Sequence, residues 1–566
     1  MNDRLRTLES DRFDVIVIGA GTGGLTAAAL LAKRGRRVLV VDGHSVAGGN
    51  ATVFRRKGYE FDVGLHYLGG CQPDGMIPRV LRAAGAGEVE FEELDPDGYD
   101  TLVFPDLTFR MPKGGEALRA RLIETFPAER AGIDRYFRVI RGLEHLVAAA
   151  GRPLGLLAAV PRSLLTLRYL GSTFARLLDS CTADPRLRAV LAGQSGDYGQ
   201  PPSRAAALMA VGLTQHYLEG AWFPKGGGQV LSDRLAAAIE EHGGKILLCS
   251  PARRILVEAG RVTGVEIDSH HLGRRVVRAP IVISNADYKR TVNELVGAAH
   301  FSKKTVARVE RAEMSPAFGV LYLGLSRDLK AEGHPRTNYW IFPNPDLEAE
   351  YAAAARGEVG HTPMAYISIA SLKDPTNRRV APPGITNLQV MSLAPSSPAA
   401  WGVTEAELLS GAYRKSAGYQ AKKRAFAEAM LRSASRVFPG IDQQIVYQEV
   451  ATPLTHRRYT GATGGTSYGL AHTPAHFLRG RPGSKTELPG LYLAGASCRT
   501  GHGIAGVMMS GVAVTAELLG GRVWGEVFGK ENAGPRPTNL TALRPDPLSS
   551  SAPLASPGRA EAAQRR

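Results

Sequence analysis

The stretch that most constrains the fold is residues 14–42, DVIVIGAGTGGLTAAALLAKRGRRVLVVD. It predicts a buried β-branched strand, a glycine turn, an alanine- and leucine-rich helix and a second strand. Gly19, Gly21 and Gly24 form a G-x-G-x-x-G pattern, which gives a tight turn, room for a pyrophosphate and close helix packing. Asp42 ends the second strand, where a carboxylate binds a ribose hydroxyl. The unit therefore predicts a Rossmann-like α/β fold with a bound dinucleotide.

Two later glycine-rich segments indicate which dinucleotide is bound. Gly48 and Gly49 follow soon after the acid, where a plain nicotinamide dehydrogenase usually continues into a helix, and they let backbone approach a second bulky group. Residues 490–520, GLYLAGASCRTGHGIAGVMMSGVAVTAELLG, predict a strand, a glycine-rich loop and an apolar helix. The start of that helix can face a phosphate or a flavin ring. Both features favour FAD.

The chain resembles the flavoprotein family of phytoene desaturases, carotenoid cis-trans isomerases and retinol saturases. The similarity extends from about residue 12 to about residue 525. It rests on VIGAGTGGL at 17–25, FDVGLHYLGG at 61–70, the segments 220–265 and 279–297, SLKDPT at 371–376, GGTSYGLAHTP at 464–474 and the strand-loop-helix at 490–520.

The resemblance implies a set of FAD-binding residues: Gly19, Gly21, Gly23, Gly24, Asp42, Gly48, Gly49, Asn50, Gly64, Leu65, His66, Ala252, Gly495, Ala496, Gly503 and Ile504. Three of these positions depart from the common pattern. Asn50 replaces an arginine that many relatives carry, Ala252 replaces a valine, and Ala496 stands where amine oxidases and plant-type isomerases have aspartate. Most FAD contacts would involve backbone, so these three changes are compatible with FAD binding. They leave open which branch of the family the chain resembles most.

The protein offers few obvious catalytic side chains, so the chemistry must come mainly from the flavin. His66, in the segment expected beside the flavin ring, is the candidate acid–base catalyst, although a structural histidine fits as well. His502 is a second choice, and Lys225 would brace the flavin or end a turn. No metal site is expected. With one dinucleotide fingerprint, the electron partner would be a quinone, oxygen or a diffusible donor.

The resemblance implies an enzyme that acts on carbon–carbon bonds of a long apolar isoprenoid or polyene. Desaturation by hydride transfer to flavin N5 is the first expectation, and cis-trans isomerisation or retinol-saturase-like reduction are the alternatives. A non-catalytic prenyl-lipid binding protein of the same fold, and an amine oxidase, are further alternatives. The intact glycine pattern with Asp42 disfavours the lipid carrier, and Ala496 disfavours the amine oxidase.

Charge and composition indicate the partners and the compartment. The net charge of +16 favours an anionic partner, but no compact basic, aromatic-bearing module indicates nucleic acid. Residues 153–178, PLGLLAAVPRSLLTLRYLGSTFARLL, carry three arginines without an acid, so they predict a membrane-surface helix with Tyr169 and Phe174 at interfacial depth. A pair of core helices is the alternative. Scattered cysteines and a polar N-terminus favour a cytoplasmic protein, free or peripheral on the inner face of the membrane.

The chain is expected to interleave two domains. The FAD-binding domain, a parallel sheet plus a β-meander, takes 12–105, 222–300 and 480–528, and a mixed α+β substrate domain takes 106–221 and 301–479. Strand-like runs at 246–250, 261–267 and 276–285 predict the meander, and runs at 365–369 and 386–393 predict the floor of a substrate cavity. Residues 529–566 are expected to form a disordered tail.

Overall fold

The computed structural model describes residues 10–149 and 153–532. Its first layer is a five-stranded sheet in which every neighbouring pair is parallel. The strands, in spatial order, are Leu491–Leu493, Ile281–Ser284, Val15–Ile18, Val38–Val41 and Lys245–Leu247. Valine, isoleucine and leucine fill these strands because both faces of the sheet are covered. The predicted α/β fold with a Rossmann-like sheet is confirmed.

Helices cover this sheet and fill the space toward a second one. The first helix is buried along its whole length and packs against the last long helix, where Gly511 lies against the backbone of Gly23. The α-helices are Thr22–Ala32, Met76–Ala84, Gly115–Thr125, Arg130–Ala148, Pro153–Arg162, Leu164–Leu167, Phe174–Cys181, Pro185–Leu191, Ser195–Tyr198, Ala207–Leu218, Gln229–Glu241, Tyr288–Arg290, Lys303–Arg311, Leu347–Ala355, Ala370–Lys373, Glu405–Ser410, Ala417–Ala434, Pro453–Thr460, Gly503–Leu519 and Arg522–Phe528.

The predicted β-meander is present, but one of its three predicted runs belongs to the parallel sheet and another is divided between the two sheets. It consists of Ala252–Glu258, Arg261–Ser269 and Gly273–Arg278, paired antiparallel. Within the runs 246–250 and 276–285, strands Lys245–Leu247 and Ile281–Ser284 join the parallel sheet. A buried parallel strand and a meander strand look alike in sequence. Both appear as short apolar runs that contain β-branched residues.

The second large sheet has seven strands and forms the floor of the predicted substrate domain. Its order is Ile445–Ala451, Ala317–Leu325, Thr386–Ala394, Ala365–Ser368, Asn338–Ile341, Asp100–Val103 and Thr108–Met111. The remaining strands form two small antiparallel pairs. These are Val53–Arg56 with Tyr59–Asp62, and Phe91–Glu93 with Trp222–Pro224.

One short segment of the range expected for the FAD-binding domain pairs with the other large sheet. Residues 100–103 were assigned to the FAD-binding domain, which was expected to extend to residue 105. The structure instead pairs Asp100–Val103 with Asn338–Ile341 in the seven-stranded sheet. The chain therefore crosses to the second layer before residue 100, and long-range pairing of this kind leaves no local signal in the sequence.

Residues 153–178 do not form the single helix that was expected. They fold into Pro153–Arg162, Leu164–Leu167 and the start of Phe174–Cys181. Tyr169 and Phe174, expected at interfacial depth, are both buried in the core. Among the residues that the structure describes, no helix combines the length and the apolar character needed to cross a bilayer.

The first residues of the range expected to form a tail have regular structure. Lys530–Asn532 form a helical turn, and the Asn532 side chain donates to the carbonyl oxygens of Arg79 and Val527. The remaining residues for which disorder is expected, 533–566, lie outside the described part of the chain.

Candidate functional site

A cavity of about 1710 Å³ lies between the two sheets and is lined by residues from both. Two of its regions differ in chemistry. The first, the dinucleotide region, is lined by Gly19, Gly21, Gly23, Asp42, Gly48 and Gly49. The second, the apolar region, is lined by Leu208, Met209, Leu213, Phe318, Trp340, Met364, Tyr366 and Met391.

The glycine turn shapes the dinucleotide region by leaving out side chains. Gly19 adopts φ of 99°, which favours glycine, and a Cβ on Gly24 would collide with the carbonyl oxygen of Gly19. A Cβ on Gly21 would lie 2.9 Å from the side-chain nitrogen of Asn285. The turn therefore leads directly into the helix Thr22–Ala32, with its first backbone N–H groups at the cavity wall.

The second glycine pair packs its backbone against this turn. Gly48 and Gly49 have φ of 130° and 59°, and a Cβ on Gly49 would lie 3.1 Å from the Cα of Gly21. The two loops meet in a short parallel bridge between Gly21 and Gly48. Together they form a cradle of backbone without side chains, which is the surface that a pyrophosphate requires.

Asp42 is held at the edge of this cradle. Its carboxylate accepts hydrogen bonds from the backbone N–H groups of Ala20 at 2.6 Å and His44 at 2.7 Å. Burial raises the pKa of Asp42, and the two N–H groups act in the opposite direction. Each carboxylate oxygen keeps a lone pair for a ribose hydroxyl, so the residues present fit a dinucleotide.

Almost all the predicted cofactor residues line the cavity. In addition to those of the dinucleotide region, they are Asn50, Gly64, His66, Ala252, Gly495, Ala496, Gly503 and Ile504. Gly24 and Leu65 do not line it. Gly24 instead allows the turn to close, and Leu65 is buried in the core among apolar residues.

Asn50 is engaged within the protein. Its side-chain oxygen lies 2.8 Å from Nε2 of His456, and its nitrogen donates to the carbonyl oxygen of Ser467. It therefore ties three segments of the chain together at the cavity wall, in place of the charged contact that an arginine would provide.

His66 is placed in the cavity wall but is poorly suited to donate a proton. Its ring lies 5.9 Å from that of Tyr366, and its buried Nδ1 has no hydrogen-bond partner among the described residues. Burial, together with the positive charge of Lys373, lowers the pKa of His66 to about 3. The imidazole is therefore neutral at physiological pH, with a free polar atom in a site that has room for a ligand.

The structure places the other two candidate residues, His502 and Lys225, in different surroundings. His502 lines the cavity, where its ring is hydrogen-bonded to the carbonyl oxygen of Asp197 and to His472, and burial lowers its pKa to about 4. Lys225 does not line the cavity, and its ammonium contacts Glu90 at 3.0 Å on the surface. Lys225 lies in the turn that follows the strand Trp222–Pro224.

Sequence reasoning missed a group of buried polar side chains next to the apolar region. They are Tyr67, Asp100, Gln194, Asp197, Asn338 and Lys373. We call them the acid cluster. Tyr67 and Lys373 lie in segments that carry the family resemblance, but nothing in those segments indicates that they meet. Asp100, Gln194 and Asn338 come from separate parts of the chain, so no local pattern could have identified the cluster.

Comparisons with known proteins agree with this architecture. A family model described as an NAD(P)-binding Rossmann-like domain matches residues 17–84. The chain is 28% identical over 537 residues to all-trans-retinol 13,14-reductase of Macaca fascicularis, covering 90% of this chain and 86% of that protein. It is 26% identical over 522 residues to the chloroplastic prolycopene isomerase 1 of an Oncidium hybrid cultivar, covering 89% and 83%.

The fold is also found among solved structures. A crystal structure of an oxidoreductase from Methanosarcina mazei superposes with a TM-score of 0.59 at 18% identity, covering 88% of this chain and 99% of that one. The homologues over most of the chain confirm the predicted resemblance to the flavoprotein family of phytoene desaturases, carotenoid isomerases and retinol saturases.

Proposed function

Because its homologues are named as a retinol reductase and a prolycopene isomerase, we propose that this protein is a FAD-dependent oxidoreductase that acts on carbon–carbon double bonds of a long apolar polyene. One observation carries the proposal: the dinucleotide region and the apolar region belong to a single cavity. A cofactor in the first region and a polyene in the second would lie side by side.

The cofactor would be held mainly by backbone. The glycine turn and the start of helix Thr22–Ala32 would bind the pyrophosphate, Asp42 a ribose hydroxyl, and Ala252 would lie beside the adenine. Gly64, His66, Ala496, Gly503 and Ile504 would surround the flavin ring. When bound, the flavin supplies a centre that accepts or donates a hydride. A quinone, oxygen or a diffusible donor would complete the redox cycle.

The apolar region suits a flexible hydrocarbon chain. Three of its lining residues are methionines, whose unbranched side chains adapt to the shape of a ligand. Trp340 and Tyr366 lie with their ring centroids 4.4 Å apart and add flat apolar surface. A conjugated polyene offers the matching flat and apolar surface, and its burial would also exclude water from the reacting bond.

The direction of the reaction is best argued from the relatives. Their names describe reduction of retinol and isomerisation of prolycopene, so they favour the two alternatives over the desaturation that was expected first. We infer that the protein acts on an existing double bond, either by adding hydrogen to it or by changing its geometry.

An amine oxidase is the second candidate, because Tyr67, Tyr217 and Tyr366 all line the cavity. The ring planes of Tyr67 and Tyr217 are stacked with a centroid distance of 4.4 Å. A non-catalytic prenyl-lipid carrier is less well supported, because the cradle of glycines and Asp42 would have no role in it.

We propose that the surface near residues 153–178 contacts an anionic membrane from which a polyene would enter. Leu157 is 71% exposed and Leu164 is 64% exposed, and Arg162 and Arg168 are exposed beside them. In a flotation assay, wild-type protein should bind vesicles that contain anionic lipid. Leu157→Glu should bind them several-fold less, whereas Leu409→Glu, at a 77% exposed position elsewhere, should bind as wild type. Equal binding by the two variants would contradict the contact.

The central experiment is an anaerobic incubation of the FAD-loaded, chemically reduced protein with all-trans-retinol, prolycopene and phytoene in liposomes. Reduction predicts a blue-shifted product, and isomerisation predicts a new isomer of unchanged mass. Putrescine is offered to the oxidised protein in a parallel reaction. Cofactor bleaching by the amine, with no change in any polyene, would favour the amine oxidase and contradict the proposal.

A further inference from the structure

In the acid cluster, two carboxyl groups share a single hydrogen-bond donor, the phenol of Tyr67. Both contacts can be hydrogen bonds only if one carboxyl carries a proton. The phenol oxygen of Tyr67 lies within hydrogen-bond distance of Oδ2 of Asp100, at 3.1 Å, and of Oδ2 of Asp197. A phenol has one hydrogen and can donate to only one of these oxygens. The other carboxyl must therefore carry a proton and donate it to the phenol oxygen.

The hydrogen bonds of the two carboxyl groups indicate which one is protonated. Asp100 also accepts from the amide groups of Gln194 and Asn338, each at 2.8 Å, so its carboxylate form is well satisfied. The carboxyl of Asp197 accepts no other hydrogen bond from the described residues. The proton therefore belongs on Asp197.

The charges in the cluster lead to the same assignment. The Lys373 side chain is 1% exposed, and its nitrogen lies 2.6 Å from the carbonyl oxygen of His66 and 2.8 Å from the hydroxyl of Ser368. A third contact, to the side-chain oxygen of Asn338, uses the third hydrogen of an ammonium group. The charge of this single ammonium acts on three acidic side chains, those of Asp100, Asp62 and Asp197, so a proton on Asp197 reduces the uncompensated negative charge.

Asp197 also faces the space in which a substrate would lie. It lines the cavity together with Tyr67, and it lies on the short helix Ser195–Tyr198, next to Gly196 at the cavity wall. The ring of His502, which comes from the start of the helix Gly503–Leu519, contacts the carbonyl oxygen of Asp197. The backbone of Asp197 therefore contacts the segment expected beside the flavin ring, and its carboxyl is held by Tyr67 at the cavity wall.

We propose that Asp197 is the proton donor to the substrate carbon, with Tyr67 and Asp100 as positioning residues. The inference rests on the proposed function. In reduction, one carbon of the double bond gains a hydride from the reduced cofactor, and the other gains the proton of the Asp197 carboxyl. The π bond and the O–H bond break, two C–H bonds form, the cofactor is oxidised, and the carboxylate takes a new proton from water. In desaturation the same transfers occur in reverse.

The protonation state sets the pH dependence. Burial and the charge of Asp100 raise the pKa of Asp197 to about 8, so the donor form is present at neutral pH and is lost above pH 8. Several other ionisable side chains interact electrostatically with Asp197. They are Lys373, Tyr67, Tyr99, Tyr198, Tyr217, Tyr351, Tyr366 and Tyr468. Burial raises the pKa values of these tyrosines, so none of them ionises in the range in which Asp197 does. Burial lowers the pKa of Lys373 to about 7, so the loss of its proton precedes that of Asp197 as the pH rises.

Asp197→Asn is the decisive variant, because asparagine can donate to Tyr67 as the protonated acid does but cannot release a proton. Turnover of the reactive polyene should fall at least about 100-fold, while FAD content and thermal stability are kept. Asp106→Asn is the matched control, since Asp106 is an exposed acid 3.6 Å from Arg186. It should retain wild-type turnover. Turnover by Asp197→Asn within about threefold of wild type would overturn the proposal.

Two measurements on the wild-type protein do not depend on a variant that folds. Infrared spectroscopy of the substrate-free protein should show the carbonyl stretch of a protonated carboxyl at neutral pH. Part of this band should persist above pH 7, where Asp62 loses its proton, and should disappear as the pH rises through about 8. Reduction in D₂O should place one deuterium from solvent on the product carbon that received the proton. A protein with no such band overturns the inference even if it reduces polyenes. A protein that shows the band but converts no polyene overturns the proposed function, and the role of Asp197 falls with it.

Discussion

The two regions of the cavity are built by opposite means. The dinucleotide region is made of backbone: glycines remove side chains, and Asp42 is held by two neighbouring N–H groups. The apolar region is made of side chains, with the acid cluster beside it assembled from segments up to several hundred residues apart. A site made of backbone tolerates sequence change outside its glycines, whereas a cluster of buried charges depends on every member.

The largest effect is expected when a member of the acid cluster is removed. Lys373→Met removes the buried amine that donates to the carbonyl oxygen of His66, the side-chain oxygen of Asn338 and the hydroxyl of Ser368. Because these acceptors lose their donor, the free energy of unfolding should fall by about 3–5 kcal/mol, as measured by chemical denaturation. Lys225→Met is the matched control. Lys225 is a surface lysine that contacts Glu90, and its replacement should leave the denaturation midpoint unchanged. If the two variants unfolded at the same denaturant concentration, the buried contacts of Lys373 would not distinguish the acid cluster from the dinucleotide region.

A change in the glycine turn should act on the cofactor rather than on the fold. A Cβ on Gly21 meets the mobile end of the Asn285 side chain and projects into the dinucleotide region, so Gly21→Ala should bind FAD at least about tenfold more weakly. Titration of the stripped protein with FAD measures this. Gly525→Ala places a Cβ in open space on an exposed helix and should bind FAD normally. Equal affinities would show that the cradle does not hold the cofactor.

His66 lies near both regions, and its replacement should have the smallest effect. Because its pKa is lowered to about 3, the imidazole is already neutral at neutral pH, and His66→Asn should reduce turnover by less than about tenfold. The measurement is a pH–rate profile of both proteins. A wild-type profile that rises or falls near pH 6.5, with the step missing in the variant, would restore His66 as the acid–base catalyst.

The difference between the regions also explains what the sequence could reveal. Residues 14–42 are contiguous, so the glycines, the helix and Asp42 were visible together, and nearly every cofactor residue expected from the resemblance lines the cavity. Asp100 meets Asn338 only through pairing of the strands Asp100–Val103 and Asn338–Ile341. That parallel pairing was not predictable from either strand alone.

Residues 153–178 show the same limit. Their leucines and arginines suggested one amphipathic helix, yet the segment is divided after Arg162 and directs Tyr169 and Phe174 into the core. Hydrophobic periodicity indicates which residues are apolar, but tertiary packing decides which of them face the interior.

The most direct test of the account is the identity of the cofactor that the native protein carries. Purified protein is denatured, and the released small molecules are separated and identified by mass and absorbance. The account predicts a yellow protein that releases FAD in an equimolar amount to the protein chain. A colourless protein that releases no flavin, and that stays colourless after incubation with FAD, would contradict it.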